Sequence, residues 1–470
     1  MNDKNITPSL FMSETPPART IGSECEYNLQ NLDVDGNSID LSKYIVPKAV
    51  EAAGLTRVGY FLSNGGKLYL DVGHIEYDTP ECLGPKQAAA ADLAGMVVMQ
   101  HIINGSGQPH RGLYRLAGTY MAGKKDYQGS LVLDGRTSGY HENYLIPRIM
   151  ARDGMIDKLI PAHLVSRIWA MGGAIKVGGY EYSQKADGIG GPPITRVVER
   201  RTKHGSKPMA MIPSVASDED TIGSPHWSRL EVRFGDPTTS PTTRYLGFAA
   251  TSLVLRMVEQ QERIGTERLN KLELADPVLA AYLFSSDLSL NRTVETTQGS
   301  RLSLINIQEE LATIAIELSN VIELPEDEKE AAHLWLNIVE QLKKSSPHEA
   351  KYGELLKTTD VAAKHFYLMS KHTAEEISTN NNNVLNESLA WDRTLPEGGG
   401  MKWWRHFPSP IKQEDVDTLV SEAPPTRAAI RALLINDPAV EITSMNWAQV
   451  EVKGRGKIKL RDPYQNTLAS

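Results

Sequence analysis

Hydrophobic and polar positions alternate with a period of two in three short runs of the chain, and each run carries charge on its polar side. In Thr20 to Gln30 (TIGSECEYNLQ), Glu24 and Glu26 share one face of a predicted strand, with Cys25 and Tyr27 on the other. In Gly66 to Glu81 (GKLYLDVGHIEYDTPE), Leu68, Leu70 and Val72 form one face, and Lys67, Tyr69 and Asp71 form the other. In Ser228 to Asp236 (SRLEVRFGD), Leu230, Val232 and Phe234 alternate with Arg229, Glu231 and Arg233. Two helices are predicted within this strand-rich first half. Pro85 to Ile103 opens on proline and continues with alanines and long apolar residues, and Ile160 to Met171 is the second.

From Ser240 to Lys344 the pattern becomes helical. Ile307, Leu311, Ile314 and Leu318 fall on one stripe of a helix over Leu304 to Ile322. Pro325 to Lys344 restarts after a proline, with an acidic beginning and a basic end that suit the helix dipole. The polar run Asn380 to Asn383 and the glycine loop Glu397 to Gly400 mark surface connections, and a short helix–strand module follows Met401. Strands first and helices afterwards predict an α+β fold, not a doubly wound sheet. The expected organisation is a loose tail over residues 1–19, a catalytic domain over 20–400 and a small C-terminal domain over 401–470. The tail holds Pro8, Pro16 and Pro17 and lacks the apolar run of a signal peptide.

Composition narrows the class. A length of 470 residues accommodates one large domain plus a smaller one, and 40% hydrophobic with 23% charged residues is the balance of an ordinary soluble protein. A net charge of −8 argues against a broad nucleic-acid surface. Two cysteines, Cys25 and Cys82, are too few for a disulfide framework or a Cys-rich zinc site, which suits a reducing, cytoplasmic setting. No run is apolar enough for a membrane span.

Taken singly, the charged runs have plain explanations. Glu24 and Glu26 repel one another unless something positive lies between them, yet a solvated edge strand tolerates both. Asp71 sits in an otherwise apolar strand, at an edge or aimed into a site, and His74, Glu76 and Glu81 follow it. The Arg229–Glu231–Arg233 row fits a surface strand with cross-strand ion pairs, and His141, in GYHENYL, fits a structural histidine. Together, four carboxylates and one histidine from these runs make a hard, oxygen-rich donor set that favours Mg2+ or Mn2+ over zinc. Such ions bridge nucleotide phosphates, and arginines offset charge on a transferring phosphoryl group.

These segments resemble the Pup ligase and depupylase family, whose fold is that of glutamine synthetase. GSECEYN resembles its paired-glutamate strand, SNGGKLYLDVGHIEYDTPEC the stretch with its catalytic aspartate, and SGYHENYL its histidine motif. YSQKAD and APPTRAAIRALL are similar to two further segments, while SRLEVRFGDPTTSP looks more like glutamine synthetase itself. The resemblance implies a curved antiparallel sheet with packed helices around a tunnel, with ATP entering from one end and the protein substrate from the other. It implies Mg2+ ions held by Glu24, Glu26, Glu76, His141 and Glu231, and a catalytic role for Asp71 with Tyr69 lining the site. It also implies phosphate-side roles for Arg229 and Arg233, with Arg167 in HLVSRIW a further candidate.

The implied partners are Pup or a Pup-like modifier and lysine-bearing proteins, with neither nucleic acid nor membrane. In the implied reaction, ATP phosphorylates the side-chain carboxylate of the modifier's C-terminal glutamate, and a lysine amine, deprotonated by Asp71, then attacks. Cleavage of the same bond, a small-molecule carboxylate–amine ligase and an inactive modifier-binding scaffold stay open beside it.

Three departures from the family pattern mark a divergent paralogue. LVLDGRT stands where the family has an Asn-rich strand. ASDEDTIGSPHW keeps Asp218 and Glu219 but not the arginine of an Arg-Asp-Glu-Pro-His segment, and Glu231 replaces a histidine. Only 47 positions separate Glu24 from Asp71, which leaves no room for the depupylases' long insertion and favours the ligase layout or a loop-less depupylase. Trp403 and Trp404 read as packing residues, Cys82 has no partner base, and the basic run Arg196 to Lys207 suits a solvated loop as well as an acidic partner.

Overall fold

The computed structural model describes residues 6–30, 50–51, 54–71, 74–105, 112–114, 121–125, 131–134, 139–150, 154–172, 175–176, 179–183, 214–216, 224–346, 353–379, 382–394 and 398–468. The basic run at 196–207 and the acidic pair at 218–219 lie outside them.

A ten-stranded sheet carries the architecture. Its strands are β1 (Thr20–Gln30), β2 (Arg57–Val58), β3 (Phe61–Leu62), β4 (Lys67–Asp71), β5 (His74–Asp78), β6 (Cys82–Leu83), β7 (Gly112–Tyr114), β8 (Tyr140–Pro147), β9 (Ser214–Ala216) and β10 (Trp227–Val232). They run in the order β9-β10-β8-β1-β5-β4-β3-β2, with β6 and β7 also on β1, and the pairings of β1 with its four neighbours are antiparallel. The three runs with charged polar faces are therefore strands of one sheet. The α+β expectation holds, with helices packed against antiparallel strands.

Alternation gives the sheet two unlike faces. Ile21, Cys25, Tyr27, Ile75, Tyr77, Tyr140, Tyr144, Leu230 and Val232 are all buried in the main core. Helix α1 (Gly84–Gly105) covers this face, with its alanines against the sheet. The approach is close: a Cβ on Gly95 would stand 2.7 Å from the Tyr77 ring. Behind α1 lie α2 (Gly154–Ser166), α3 (Pro241–Glu259), α4 (Leu304–Ser319) and α5 (Glu326–Leu342). Helix α4 starts at a capping box between Ser303 and Asn306, and α5 follows Pro325 with Glu326, Asp327 and Glu328 in its first turn, as the acidic start predicts. The helix expected over 160–171 begins earlier, at Gly154, holds Pro161 inside, and breaks at Arg167 before a short Ile168–Met171 helix. No helix of the described residues is long and apolar enough to cross a membrane.

Two expected boundaries need correction. The described part of the 1–19 segment is anchored, not loose. Pro8–Met12 forms a 3-10 helix, Phe11 is buried under the guanidiniums of Arg19 and Arg256, and Arg19 pairs with Glu259 at 2.8 Å. A proline-rich stretch reads as tail locally, but Phe11 finds an apolar pocket with Leu145 and Trp227. The boundary at 400/401 falls inside the helix Gly399–Trp404, whose Trp404 packs in an aromatic cluster with Trp391. Val416 and Leu419 also belong to the main core. A separate small core begins only with α6 (Arg427–Asn436), where Ile430 and Leu434 pack on Val450 and Val452 of a three-stranded antiparallel sheet and on Leu460 just past its last strand.

Candidate active site

The face of the sheet opposite α1 holds the charged residues in rows. Register places Lys67 across from Asp78, Asp78 across from Glu24, and Glu24 across from His141. The next row is Tyr69, Glu76 and Glu26. On the other side of Glu24, Gly22 pairs with Asn143 and Asn143 with Glu231. Glu24 and Asp78, and likewise Glu26 and Glu76, are thus like charges directly opposed, an arrangement that costs free energy unless cations intervene.

Part of the neutralisation is built in. Glu24 accepts from Asn143 Nδ2 and Arg229 Nη1, each at 3.1 Å, and its other oxygen lies 3.1 Å from His141 Nδ1. Glu231 sits between two arginines, 3.2 Å from Arg229 Nη2 and 2.6 Å from Arg233 Nε. Glu26 accepts from the Gly139 backbone N–H at 2.6 Å. A Cβ at Gly139 would come within 2.9 Å of Glu26 Oε1 and 3.2 Å of His141 Nε2, so a larger residue there would push on both side chains.

Protonation follows these contacts. Burial opposes charge on Glu24, but His141, Arg229 and Asn143 outweigh it and hold its carboxyl well below the usual range. Burial and the neighbouring Glu24 work against Glu231 too, yet Arg229, Arg233 and His141 keep its pKa lowered. Among the described residues Asp78 has no arginine beside it and faces Lys67 at 3.6 Å. Burial, then Glu24 and Glu76, push it well above the ordinary aspartate value. Burial and the surrounding carboxylates raise the Tyr69 phenol, which stays protonated and hydrogen-bonds Glu76.

Glu24, His141 and Glu231 each offer a ligand atom, and these atoms lie within 4.8 Å of one another. Two carboxylates and one imidazole, partly to fully buried, suit a divalent cation that prefers oxygen donors. Beside this triad is a cavity of about 210 Å3, floored by Thr20 to Glu24 and walled by Lys67, Asp78, Arg229 and Glu231. Arg427, Trp447 and Pro463 of the C-terminal unit also line it.

The structure brings together Glu24, Glu26, Glu76, His141, Glu231, Arg229, Arg233 and Tyr69, all on this face. Asp71 ends β4, where it pairs with His74; its side chain lies outside the described atoms. Arg167 does not join them. It is buried on the helix side, bidentate to Glu142 at 2.8 and 3.0 Å, and also donates to the Phe234 carbonyl and Thr251. Glu142 alternates with His141, so Arg167 serves the opposite face of the sheet and is a packing residue.

Glu81 is likewise structural, paired with Arg427 and Arg431. Burial raises the Cys82 thiol, which donates to the Pro80 carbonyl at 3.3 Å, so it is no nucleophile. Sequence reasoning did not single out Asn143, Gly139, Lys67 or Asp78. All four stand two positions from a chosen residue, so strict alternation was the available signal.

A carboxylate-rich sheet face beside a partly open cavity, on an antiparallel scaffold, has the layout of an enzyme site. A family model described as Pup-ligase protein matches residues 13–451, and the chain belongs to the Pup ligase family. The Pup–protein ligase of Acidimicrobium ferrooxidans is 26% identical over 441 residues, 90% of this chain and 90% of that protein. The Pup deamidase/depupylase of Mycolicibacterium smegmatis is 28% identical over 333 residues, 68% of this chain and 61% of that enzyme. Two solved structures of the Pup ligase PafA share the fold at 20% identity. The complex with Pup aligns at a TM-score of 0.76, covering 97% of this chain and 90% of that one. The ADP complex aligns at 0.70, covering 87% of each.

Proposed function

We propose that this protein is an ATP- and Mg2+-dependent enzyme of the Pup ligase type. It joins the side-chain carboxylate of a C-terminal glutamate, on Pup or a Pup-like modifier, to a lysine amine of a target protein. The carrying observation is the Glu24–His141–Glu231 triad between the cavity and the Asp71 end of the sheet. These three residues would hold Mg2+, or Mn2+, with Glu26 and Glu76 beside them. A divalent ion there offsets charge on phosphate oxygens.

The site has two ends. Thr20 and Gly22 line the cavity, whereas Asp71 pairs with His74 at the other end of the β4–β5 ladder. The nucleotide occupies the cavity end, with its terminal phosphate toward the triad, Arg229 and Arg233. The carboxylate and the amine meet at the Asp71 end. There Asp71 takes the proton that a lysine ammonium must lose before its nitrogen can attack. A reducing, cytoplasmic location belongs to the same reading, since neither Cys25 nor Cys82 forms a disulfide.

Similarity to a depupylase favours a second reading, in which the same site cleaves the bond and water replaces the amine. One assay separates them. The protein is incubated with ATP, Mg2+ and either Pup ending in glutamate plus a lysine-bearing protein, or a preformed Pup conjugate. New conjugate supports ligation; loss of preformed conjugate without synthesis supports cleavage; neither product sinks both.

The metal assignment has its own test. In calorimetry, the Glu24→Ala/Glu26→Ala double variant is expected to bind MgATP at least about tenfold more weakly, the lower range for disturbing a metal site's ligand shell. Unchanged affinity would remove the basis for placing Mg2+ there.

A further inference from the structure

Strand β10 ends at Val232, the last of its residues to pair with β8. Arg233 stands one position beyond that ladder, and its Nε donates to Glu231 at 2.6 Å. A side chain just past the end of a strand keeps its aim only if the chain that follows is fixed. Here it is fixed from behind the sheet. The carbonyl of the next residue, Phe234, accepts from Arg167 Nη2 at 3.1 Å. Further on, the Thr238 carbonyl accepts from Arg244, and the Thr239 N–H donates to Asp360 Oδ2 at 2.9 Å. Three buried side chains thus hold the segment 234–239, and Arg167 holds the end nearest the site.

The Arg167 guanidinium is itself held on several sides. It is bidentate to Glu142 and donates to the Gly247 carbonyl and the Thr251 hydroxyl of α3 at 3.2 and 2.7 Å. Glu142 lies across from Val232, so one group joins the last rung of the ladder to the carbonyl two positions on. The neighbouring glycine makes room for it. A Cβ on Gly235 would stand 3.3 Å from Arg167 Nη2 and 3.7 Å from Glu142 Oε1, and so would press on the guanidinium. Gly235 does not have a left-handed backbone, so the missing side chain is what matters at this position.

We propose that, beyond packing, Arg167 is a positioning residue for Arg233: by fixing the Phe234 carbonyl it holds the Arg233 backbone in place beside Glu231. The proposal rests on the phosphate-side reading of Arg233 given above. Arg167 touches no reacting atom. It acts from the opposite face of the sheet, through the main chain. A charged donor suits the task, because its hydrogen bond is roughly twice as strong as one between neutral groups. The placement matters because a misplacement of about 1 Å in a group that stabilises transferring charge can cost on the order of 10²-fold in rate.

The test is a double-mutant cycle on the full chain. Rates are measured with MgATP, Pup ending in glutamate and a lysine-bearing protein, or with a preformed Pup conjugate, and the melting temperature is read on each preparation. Arg233→Ala is expected to lower the rate by about 10²-fold. Gly235→Ala presses on the guanidinium without removing it and is expected to lower the rate by about tenfold, part of what a full misplacement costs. In the Arg233→Ala background it is expected to add nothing. Arg167→Lys keeps a charge for Glu142 but loses the fork, and is expected to follow the same pattern. Should Arg167→Lys fail to fold, Gly235→Ala carries the test alone. Equal fold losses with and without Arg233 overturn the positioning role and leave Arg167 to packing. Wild-type rates in folded Gly235→Ala and Arg167→Lys overturn it as well. Arg233→Ala at the wild-type rate overturns the phosphate-side reading of Arg233, and Arg167's part with it. A wild type that neither forms nor cleaves conjugate overturns the ligase-type reading itself.

Discussion

Asp71→Asn is expected to leave the melting temperature and MgATP affinity near wild type while cutting ligation, or cleavage, by about 10²- to 10⁴-fold, the range a positioned general base supplies. Asparagine is nearly isosteric with aspartate but cannot take the amine's proton. Asp71 closes β4 opposite His74, two positions beyond Tyr69 and away from the cavity that Lys67 and Asp78 line. A base belongs at that end, where the incoming amine is not crowded by nucleotide. A structural aspartate would show the reverse pattern: a lowered melting temperature, with normal turnover in the protein that remains folded. Turnover and melting measured on one Asp71→Asn preparation separate the two, and near-normal turnover in stable protein ends the catalytic assignment.

The site was legible to the extent that it lies on strands. Period-two alternation places Glu24 with Glu26, and Arg229 with Glu231 and Arg233, on one face each, and the sheet keeps those assignments. Alternation cannot say which strands are neighbours. The juxtaposition of Glu24 with His141, 117 positions apart, depends on β1 lying between β8 and β5. Lys67 and Asp78 carried the same signal as Tyr69 and Glu76 but became meaningful only once register set them across from one another.

Arg167 shows the converse. An arginine in a largely apolar helical stretch resembled a site residue, but which face of the sheet its helix covers is decided by tertiary packing, and its charge is absorbed by Glu142. The tail and the domain boundary failed for the same reason. Phe11 and Trp404 are held by partners distant in sequence, Trp227 and Thr239 among them.

The last expected result concerns what holds the C-terminal unit against the cavity. Glu81 accepts from Arg427 Nε at 2.7 Å and Arg431 Nη1 at 3.1 Å, its second oxygen pairs with Arg431 Nη2, and its backbone carbonyl accepts from Thr426. One carboxylate thus ties α6 to the turn after β5, and the unit it holds supplies Arg427, Trp447 and Pro463 to the cavity. Glu81→Gln removes the carboxylate that two buried guanidiniums share. Breaking a buried pair by removing one partner costs about 3–5 kcal/mol, so the denaturation midpoint should fall by that equivalent, and MgATP should bind more weakly as that unit loosens.

The same carboxylate predicts a pH response. Burial raises its pKa, but Arg431 and Arg427 outweigh burial and bring it down to about 2. A depressed acid stabilises the fold fully above its ordinary value, about 4.5, and that contribution fades as pH falls toward 2. Wild type should therefore lose the docking contribution between about pH 4.5 and pH 2, while Glu81→Gln, already without it, shows a smaller loss over that window. Equal acid sensitivity in the two proteins, or an unchanged denaturation midpoint at neutral pH, would show that the C-terminal unit is held by its apolar contacts, such as Phe61 on Trp447, and not by this ion pair.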